Sequence, residues 1–181
     1  LITPNNAIAE ENLAETLHEK GRGMEAIPHL EKAIRLDPYD GSVHSLFGVT
    51  LLEAGDAAGS LSELQTAIKL DPHDADAQYN IANTLMALDQ PADAVAHYNE
   101  ALKINPDDIQ SLNNMAWILA TWPDAFVRDG NKALALAERA VSLTNHRESR
   151  TMATFAAAFA EIDRFPDAVA TAEHAAELAQ A

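Results

Sequence analysis

The chain has 181 residues, which excludes a large multidomain enzyme, and its hydrophobic content of 48% is typical of a folded protein. Because 28 acidic residues outnumber 12 basic ones, the net charge of -16 disfavours binding to nucleic acid or to anionic lipid. The absence of cysteine excludes disulfide bonds and cysteine-ligated zinc, and no apolar run reaches the roughly 18 residues that a membrane-spanning helix needs.

One turn signal recurs along the chain. Asp37-Pro38, Asp71-Pro72 and Asn105-Pro106 are spaced 34 residues apart, and a fixed period of this length is typical of stacked helical repeats. Alanine is abundant whereas glycine and proline are few, which favours helices over a β-sandwich or barrel. The period leads back from Pro38 to Pro4, so residues 1–6 are interpreted as the tail of a preceding repeat.

Three repeats of two helices each are predicted at 7–40, 41–74 and 75–108. Small residues stand at three equivalent positions of each repeat, where packed helices must approach closely. Bulky apolar residues stand between them and are expected to form a continuous core. The small residues are Ala14, Gly48, Ala82, Ala26, Ser60, Ala94, Ala33, Ala67 and Ala101, and the bulky ones are Leu13, Phe47, Ile81, Leu17, Leu51, Leu85, Leu30, Leu64 and Tyr98.

Two further repeats, at 109–148 and 149–181, continue the pattern with insertions. Repeat 4 has an extended turn between its helices at 122–130, where proline and glycine interrupt the helical pattern. In repeat 5, Pro166 is expected in the first turn of the second helix. Pro28 instead falls inside a predicted helix of repeat 1, where proline usually bends the backbone.

With these repeats the sequence resembles the tetratricopeptide repeat (TPR) family, whose 34-residue helix-turn-helix units prefer small residues at positions 8, 20 and 27 and proline at position 32. The resemblance covers nearly the whole chain and implies an all-α fold, a right-handed α-solenoid (α-α superhelix) of about five TPR units. Asn145 replaces the expected proline of repeat 4. Position 4, often tryptophan in the family, also differs; it is occupied by Glu10, His44, Gln78, Leu112 and Met152.

Short motifs that would indicate catalysis or metal binding are accidental matches. The segment Gly21-Arg22-Gly23 imitates a dinucleotide-binding fingerprint but follows a predicted helix rather than a strand. Glu15 and His18 have the spacing of a di-iron motif, but the sequence has no second copy of it. The remaining histidines do not pair at helical spacing. We therefore expect no catalytic residue, no metal and no cofactor in this chain, and interpret it as a non-enzyme.

The resemblance implies that the first helix of each repeat lines a concave groove, with positions 2, 5, 6, 9, 12 and 13 facing it. Position 6 is asparagine at Asn12, Asn80 and Asn114, which resembles the asparagine ladder of O-linked N-acetylglucosamine transferases. Because an amide both donates and accepts hydrogen bonds, such a row can hold a peptide backbone whatever its side chains. The alternative is that these asparagines are solvated and bind nothing.

Other groove positions carry apolar or acidic side chains. Tyr79, Met86 and Trp117, with Asn83 at an equivalent position, are candidate contacts for a partner's side chains. Alternatively, Trp117 packs under the extended turn beside Trp122 and Phe126. The acidic residues form a stripe on the first helix that would attract a basic peptide or, alternatively, is a solvated face. The stripe consists of Glu11, Glu15 and Glu19.

We interpret the chain as a scaffold for protein-protein interaction whose groove binds an extended polypeptide, basic or neutral in charge. A second interpretation is an accessory TPR domain of a larger bacterial enzyme such as a membrane glycosyltransferase. Trp117 to Thr121 and the turn Arg128-Asp129-Gly130 resemble C-terminal repeats of bacterial proteins, some of which have membrane-embedded glycosyltransferase domains. A third is a self-association module, since Leu1 and Ile2 represent a severed helix and repeat ends would be exposed.

Overall fold

Residues 6–180, the part of the chain that the computed structural model describes, fold into ten α-helices joined by short turns. This part contains no β-strand, so the prediction of an all-α fold is confirmed. Pro4, Leu1 and Ile2, on which the interpretations of a preceding repeat and of self-association depend, lie outside it. The helices are α1 (Ala7–Glu19), α2 (Gly23–Leu36), α3 (Gly41–Glu53), α4 (Ala57–Leu70), α5 (Ala75–Ala87), α6 (Pro91–Ile104), α7 (Ile109–Thr121), α8 (Gly130–Leu143), α9 (Ser149–Glu161) and α10 (Phe165–Leu178).

Aspartate side chains cap the helices α3, α5 and α7. Asp40, Asp74 and Asp108 accept hydrogen bonds from backbone N–H groups of the first turn, at N–O distances of 3.0, 2.9 and 2.9 Å respectively. A cap of this kind satisfies N–H groups that have no partner within the helix. The caps therefore explain why α3, α5 and α7 begin where they do, which is also where repeats 2, 3 and 4 were predicted to begin. The repeat boundaries as such stay predictions.

The chain divides into two compact units, of which unit 1 extends to His97. Within it, α1 packs against α2 and α3 against α4, while α3 also contacts both α1 and α5. Its core includes Leu30, Leu64 and Ile81, whose side chains are fully buried. The prediction that Leu13 belongs to this core is wrong, because its side chain is 44% exposed. Among the described residues of unit 1, no helix precedes α1 that could cover it.

Unit 2 begins at Tyr98 and has its own core. The helix α7 packs against α8, α8 against α9, and α9 against both α10 and α7. Leu112, Met115 and Val141 are buried between these helices. On α9, the rings of Phe155 and Phe159 lie 4.4 Å apart between centroids and extend the apolar face of that helix.

Close approach of two helices in unit 1 requires glycine at position 48. A Cβ atom built on Gly48 would lie 2.5 Å from Cγ of Leu64 and 3.2 Å from the carbonyl oxygen of Ser60, both on α4. A methyl group at that place would displace a fully buried side chain. The predicted requirement for a small residue at this helix crossing is confirmed here.

Pro28 lies inside a helix, as predicted, whereas the extended turn of repeat 4 differs from the prediction. The helix α2 continues through Pro28 from Gly23 to Leu36, and the proline lies on an exposed side of the helix. Gly130 is the first residue of α8, so the extended turn ends one residue earlier than predicted. Pro166 lies in the first turn of α10, as the sequence predicted.

The extended turn of unit 2 is held by an arginine rather than by an apolar cluster. Arg128 donates from Nη1 to the carbonyl oxygens of Trp122 and Pro123 at 2.8 and 3.1 Å. Its Nε donates to the carboxylate of Glu161 on α9 at 2.8 Å. Phe126 is 99% exposed and covers nothing. Charge-assisted hydrogen bonds from Arg128 therefore fix the turn to α9.

Hydrogen-bonded pairs occupy the position that is often tryptophan in the family. In each of the first three repeats, the residue at position 4 of the first helix meets the residue 19 positions later on the second helix. In repeat 4, position 4 is the buried Leu112 instead. The pairs are Glu10 with His29 at 2.7 Å, His44 with Glu63 at 2.6 Å, and Gln78 with His97 at 2.8 Å.

Unit 1 is expected to lose stability in acid through Glu10. Hydrogen bonds from His29 and then Lys32 hold the pKa of this carboxyl group below its usual value. Such a carboxylate stabilises the fold above its unfolded-state pKa, and this contribution is lost as the pH falls through its lower folded-state pKa. We expect Glu10→Gln to show a smaller fall in unfolding free energy than wild type between about pH 5 and pH 3, measured by urea unfolding.

The matched control for this experiment is Glu31→Gln, an exposed carboxylate on α2 whose contact with Arg35 is 3.9 Å long. Its pH dependence should follow that of wild type, because exposed ion pairs contribute little. Identical acid sensitivity of Glu10→Gln and wild type would contradict the assignment to Glu10.

Candidate peptide-binding site

The predicted asparagine row is interrupted in unit 1. Asn12 is exposed on α1 and Asn80 is half-buried on α5, but Leu46 holds the equivalent position on the intervening α3. The two asparagines are thus not on neighbouring first helices. They do not by themselves form a continuous ladder for a peptide backbone within this unit.

Three candidate groove residues of unit 1, two apolar and one polar, share one face of α5. Tyr79, Asn83 and Met86 follow each other at spacings of four and three residues, which places their side chains on the same side of the helix. All three are half-buried, and Tyr79 and Asn83 already interact with other residues of the protein. This face offers partly accessible apolar surface through Tyr79 and Met86.

The acidic stripe on α1 is only partly available to a partner. Glu15 and Glu19 are exposed, whereas Glu11 is half-buried and accepts a hydrogen bond from Oγ of Ser42 on α3 at 3.1 Å. The exposed carboxylates lie in the most negative part of the chain, because unit 1 carries most of the net charge. Such a face accelerates the approach of a basic partner more than it strengthens the complex.

Unit 2 contains a cavity of about 340 Å³ between α7 and α9. Trp117 forms part of its wall and remains 48% exposed, which is a large accessible apolar surface for a tryptophan. No carboxylate lines this cavity, in contrast to the acidic character of the whole chain. The wall consists of Asn113, Asn114 and Trp117 from α7 and of Arg150, Ala153 and Thr154 from α9.

The polar groups of this cavity differ in how well they are satisfied. Nδ2 of Asn114 donates to the hydroxyl of the buried Tyr98 at 3.4 Å, and the hydroxyl of Thr154 donates to the carbonyl oxygen of Arg150 at 3.2 Å. Asn113 is 3% exposed, and its Nδ2 reaches Oδ1 of Asn114 at 3.5 Å. Its own Oδ1 is buried without a hydrogen-bond partner.

The structure brings together some of the predicted site residues and separates others. Asn114 and Trp117 line one cavity, one turn apart on α7. The alternative that Trp117 packs under the extended turn beside Trp122 and Phe126 is wrong for Phe126, which is almost fully exposed. Asn113 and Arg150 also line the cavity but were not predicted from the sequence, although Arg150 stands at position 2 of repeat 5, one of the positions implied to face the groove.

The described helices provide neither a cluster of metal ligands nor a membrane-spanning segment. Among residues 6–180, no group of three or more histidine, cysteine, aspartate or glutamate side chains is arranged to hold a metal ion. None of the helices formed by those residues has the length and apolar content that crossing a lipid bilayer requires.

Solved structures of similar fold cover nearly the whole chain. MamA from Desulfovibrio magneticus RS-1 superposes with a TM-score of 0.83 at 19% identity, over 99% of this chain and 98% of that one. YrrB, described as a TPR protein with an unusual peptide-binding site, superposes with a TM-score of 0.78 at 17% identity, over 96% and 87% of the two chains. The O-GlcNAc transferase of Thermobaculum terrenum gives 0.68 at 18% identity, over 82% of this chain but 28% of that enzyme.

These likenesses confirm the predicted fold class, an all-α solenoid of about five helix-turn-helix units. A comparison with curated protein sequences finds no significant match. Two sequence profiles described as tetratricopeptide repeat match residues 11–40 and 51–118, which together are just over half of the chain. On its repeat sequence and its paired helices, the chain belongs to the tetratricopeptide repeat family.

Proposed function

We propose that this protein is a scaffold for protein-protein interaction that binds an extended polypeptide segment along its first helices. The observation that carries the proposal is the cavity between α7 and α9, with the half-exposed Trp117 in its wall. Exposed aromatic side chains beside a cavity are typical anchors of protein interfaces. The peptide-binding site in the description of YrrB supports the same function for a chain of this fold.

The size of the cavity is sufficient for a large side chain of a polypeptide. Its volume of about 340 Å³ is at the lower end of the range for small-molecule sites, about 300 to 1,000 Å³. One large side chain together with part of its backbone occupies such a space. The amide of Asn114 at the edge is able to donate to or accept from that backbone.

For unit 1 we propose a supporting role in attracting the partner. Glu15 and Glu19 on α1 favour the approach of a basic or neutral segment, and Asn12 lies exposed on the same helix. Because these groups are solvated, their contribution to affinity is small and sensitive to salt. The apolar cavity of unit 2 therefore supplies most of the binding energy in this proposal.

Peptides selected from a random phage-displayed library test the proposal. We expect Trp117→Ala to weaken binding of a selected 12-residue peptide about fivefold or more by fluorescence anisotropy, since loss of a central aromatic contact commonly costs over 1 kcal/mol. Phe126→Ala is the matched control, because this aromatic side chain is exposed outside the cavity. Its affinity should stay within about twofold of wild type. Failure to select any peptide, or equal losses in both variants, would reject the proposal.

A second proposal is that the same scaffold serves a larger enzyme as an accessory domain. The match to the much longer O-GlcNAc transferase chain favours it, since 82% of this chain corresponds to only 28% of that one. Reading the coding sequence on both sides of the chain distinguishes the two proposals. A catalytic domain in the same reading frame supports the second, and a reading frame without one contradicts it.

A further inference from the structure

We infer that His44 and Glu63 form a proton-dependent link between the segment 37–40 and α4, so that folding of unit 1 takes up a proton at neutral and mildly alkaline pH. The segment 37–40 joins α2 to α3, and Glu63 lies on α4. The inference is independent of the proposed function, because neither His44 nor Glu63 lines the cavity between α7 and α9.

Both ring nitrogens of His44 lie close to oxygen atoms. Nδ1 is 2.6 Å from Oε2 of Glu63, and Nε2 is 3.2 Å from the carbonyl oxygen of Pro38. His44 is 6% exposed, so little water reaches the ring as an alternative partner. Because a neutral imidazole has a single N–H group, it is able to donate to one of these oxygens only.

The two contacts together require two hydrogens. The carbonyl oxygen of Pro38 only accepts, so Nε2 carries one of them. The second lies between Nδ1 and Glu63, either on the ring beside a carboxylate or on the acid beside a neutral ring. These two arrangements differ in the place of the proton and not in the number of protons. The pair therefore holds one proton more than a neutral imidazole and an ionised carboxylate do.

The unfolded chain does not keep this additional proton at neutral pH. A free imidazole titrates near pH 6.5 and a free glutamate near pH 4.3. Above about pH 6.5 the folded state therefore binds more protons than the unfolded state, and the stability of unit 1 falls as the pH rises. Below that pH the unfolded histidine is protonated as well, so the contribution of the pair is fully present there.

The charge of the surrounding elements favours retention of the proton. Besides Glu63, the elements packed against the beginning of α3 carry four carboxylates, which stabilise a nearby positive charge, and two cations. Both cations are exposed, so their charge is screened by solvent. The groups are Asp37 and Asp40 in the segment 37–40, Glu11 on α1, Arg35 on α2, Lys69 on α4 and Asp76 on α5.

Loss of the proton releases the segment 37–40 from the ring. The remaining N–H stays with the carboxylate of Glu63, because that hydrogen bond is charge-assisted. Nε2 then presents a lone pair to the carbonyl oxygen of Pro38, and two acceptors do not bind each other. In repeat 3 the equivalent pair needs no additional proton, since the amide oxygen of Gln78 accepts from Nδ1 of His97 at 2.8 Å.

Glu63→Gln tests the inference, because the amide supplies an N–H donor for Nδ1 of His44 without a shared proton. The equilibrium constant for unfolding is measured at pH 6 and pH 8 by urea unfolding followed by circular dichroism. We expect this constant to rise at least about fivefold more in wild type than in Glu63→Gln, since one proton accounts for up to about tenfold per pH unit. The matched control is Glu31→Gln, which removes an exposed carboxylate of α2 and should show the rise of wild type.

An equal rise in wild type and Glu63→Gln would overturn the inference, as would a reduction of the same size in Glu31→Gln. Failure of Glu63→Gln to fold at pH 8 would overturn it as well, because an uncharged donor should then replace the shared proton. These results do not bear on the proposed function, which is judged by the library peptides and Trp117→Ala.

Discussion

Leu64→Ala is expected to lower the free energy of unfolding by about 2–5 kcal/mol, measured by urea unfolding followed by circular dichroism. The side chain of Leu64 has 0% exposure and fills the space against Gly48 on α3. Its removal loses buried apolar surface and leaves a cavity between α3 and α4 that close-packed helices refill only in part.

A second substitution makes this expectation specific to the helix crossing. Gly48→Ala alone should destabilise by about 1–2 kcal/mol, because overpacking of its methyl group against Leu64 outweighs the gain in helix propensity. In the double variant the methyl group occupies the space that leucine leaves, so the loss should be smaller than the sum of the single losses. Gly41→Ala is the control, since its added Cβ meets Cβ of Leu70 at an ordinary 3.5 Å. Simple additivity would contradict the contact.

Arg128→Ala should destabilise unit 2 by about 2 kcal/mol, because it removes charge-assisted hydrogen bonds to the extended turn and to Glu161. The turn should also become more sensitive to chymotrypsin, which cleaves after aromatic residues such as Phe126. Urea unfolding and limited proteolysis with this enzyme measure the two effects.

Arg139→Ala is the matched control for Arg128→Ala. Arg139 also pairs with an acidic residue more than thirty positions away, Asp107, at 2.7 Å, but both side chains are exposed. Exposed pairs of this kind contribute about 0–1 kcal/mol. If the two variants lose similar unfolding free energy, the half-buried position of Arg128 and its hydrogen bonds to the turn do not stabilise unit 2 more than an exposed ion pair does.

The repeat pattern was sufficient to predict the fold because the residues that determine helix packing and helix starts recur at the same positions of each repeat. Gly48, Ala82 and Ala116 recur where helices cross, and Asp40, Asp74 and Asp108 recur where first helices begin. Each of these residues acts through close neighbours in its own or the next helix. The prediction for Leu13 was wrong because the burial of this side chain depends on a neighbour on the outer side of α1. The repeat pattern does not show whether such a neighbour is present.

The candidate site was only partly predictable from sequence. Asn114 and Trp117 follow from their repeat positions, but the cavity also requires the small Ala153 opposite the tryptophan on α9. That neighbour lies across an extended turn whose length breaks the strict period. The unsatisfied oxygen of Asn113 depends on orientation and burial, and residue type alone does not indicate either.

The polar pairs of the first three repeats also determine how this chain can be recombined. Glu10 with His29 and His44 with Glu63 carry the same chemistry in opposite order, and each pair is completed inside one repeat. Transplanting an entire repeat keeps acid and base together. A chimera that exchanges only the second helices would set two carboxylates against each other in one hairpin and two imidazoles in the other. Modular engineering of this protein must therefore cut between hairpins and never within one.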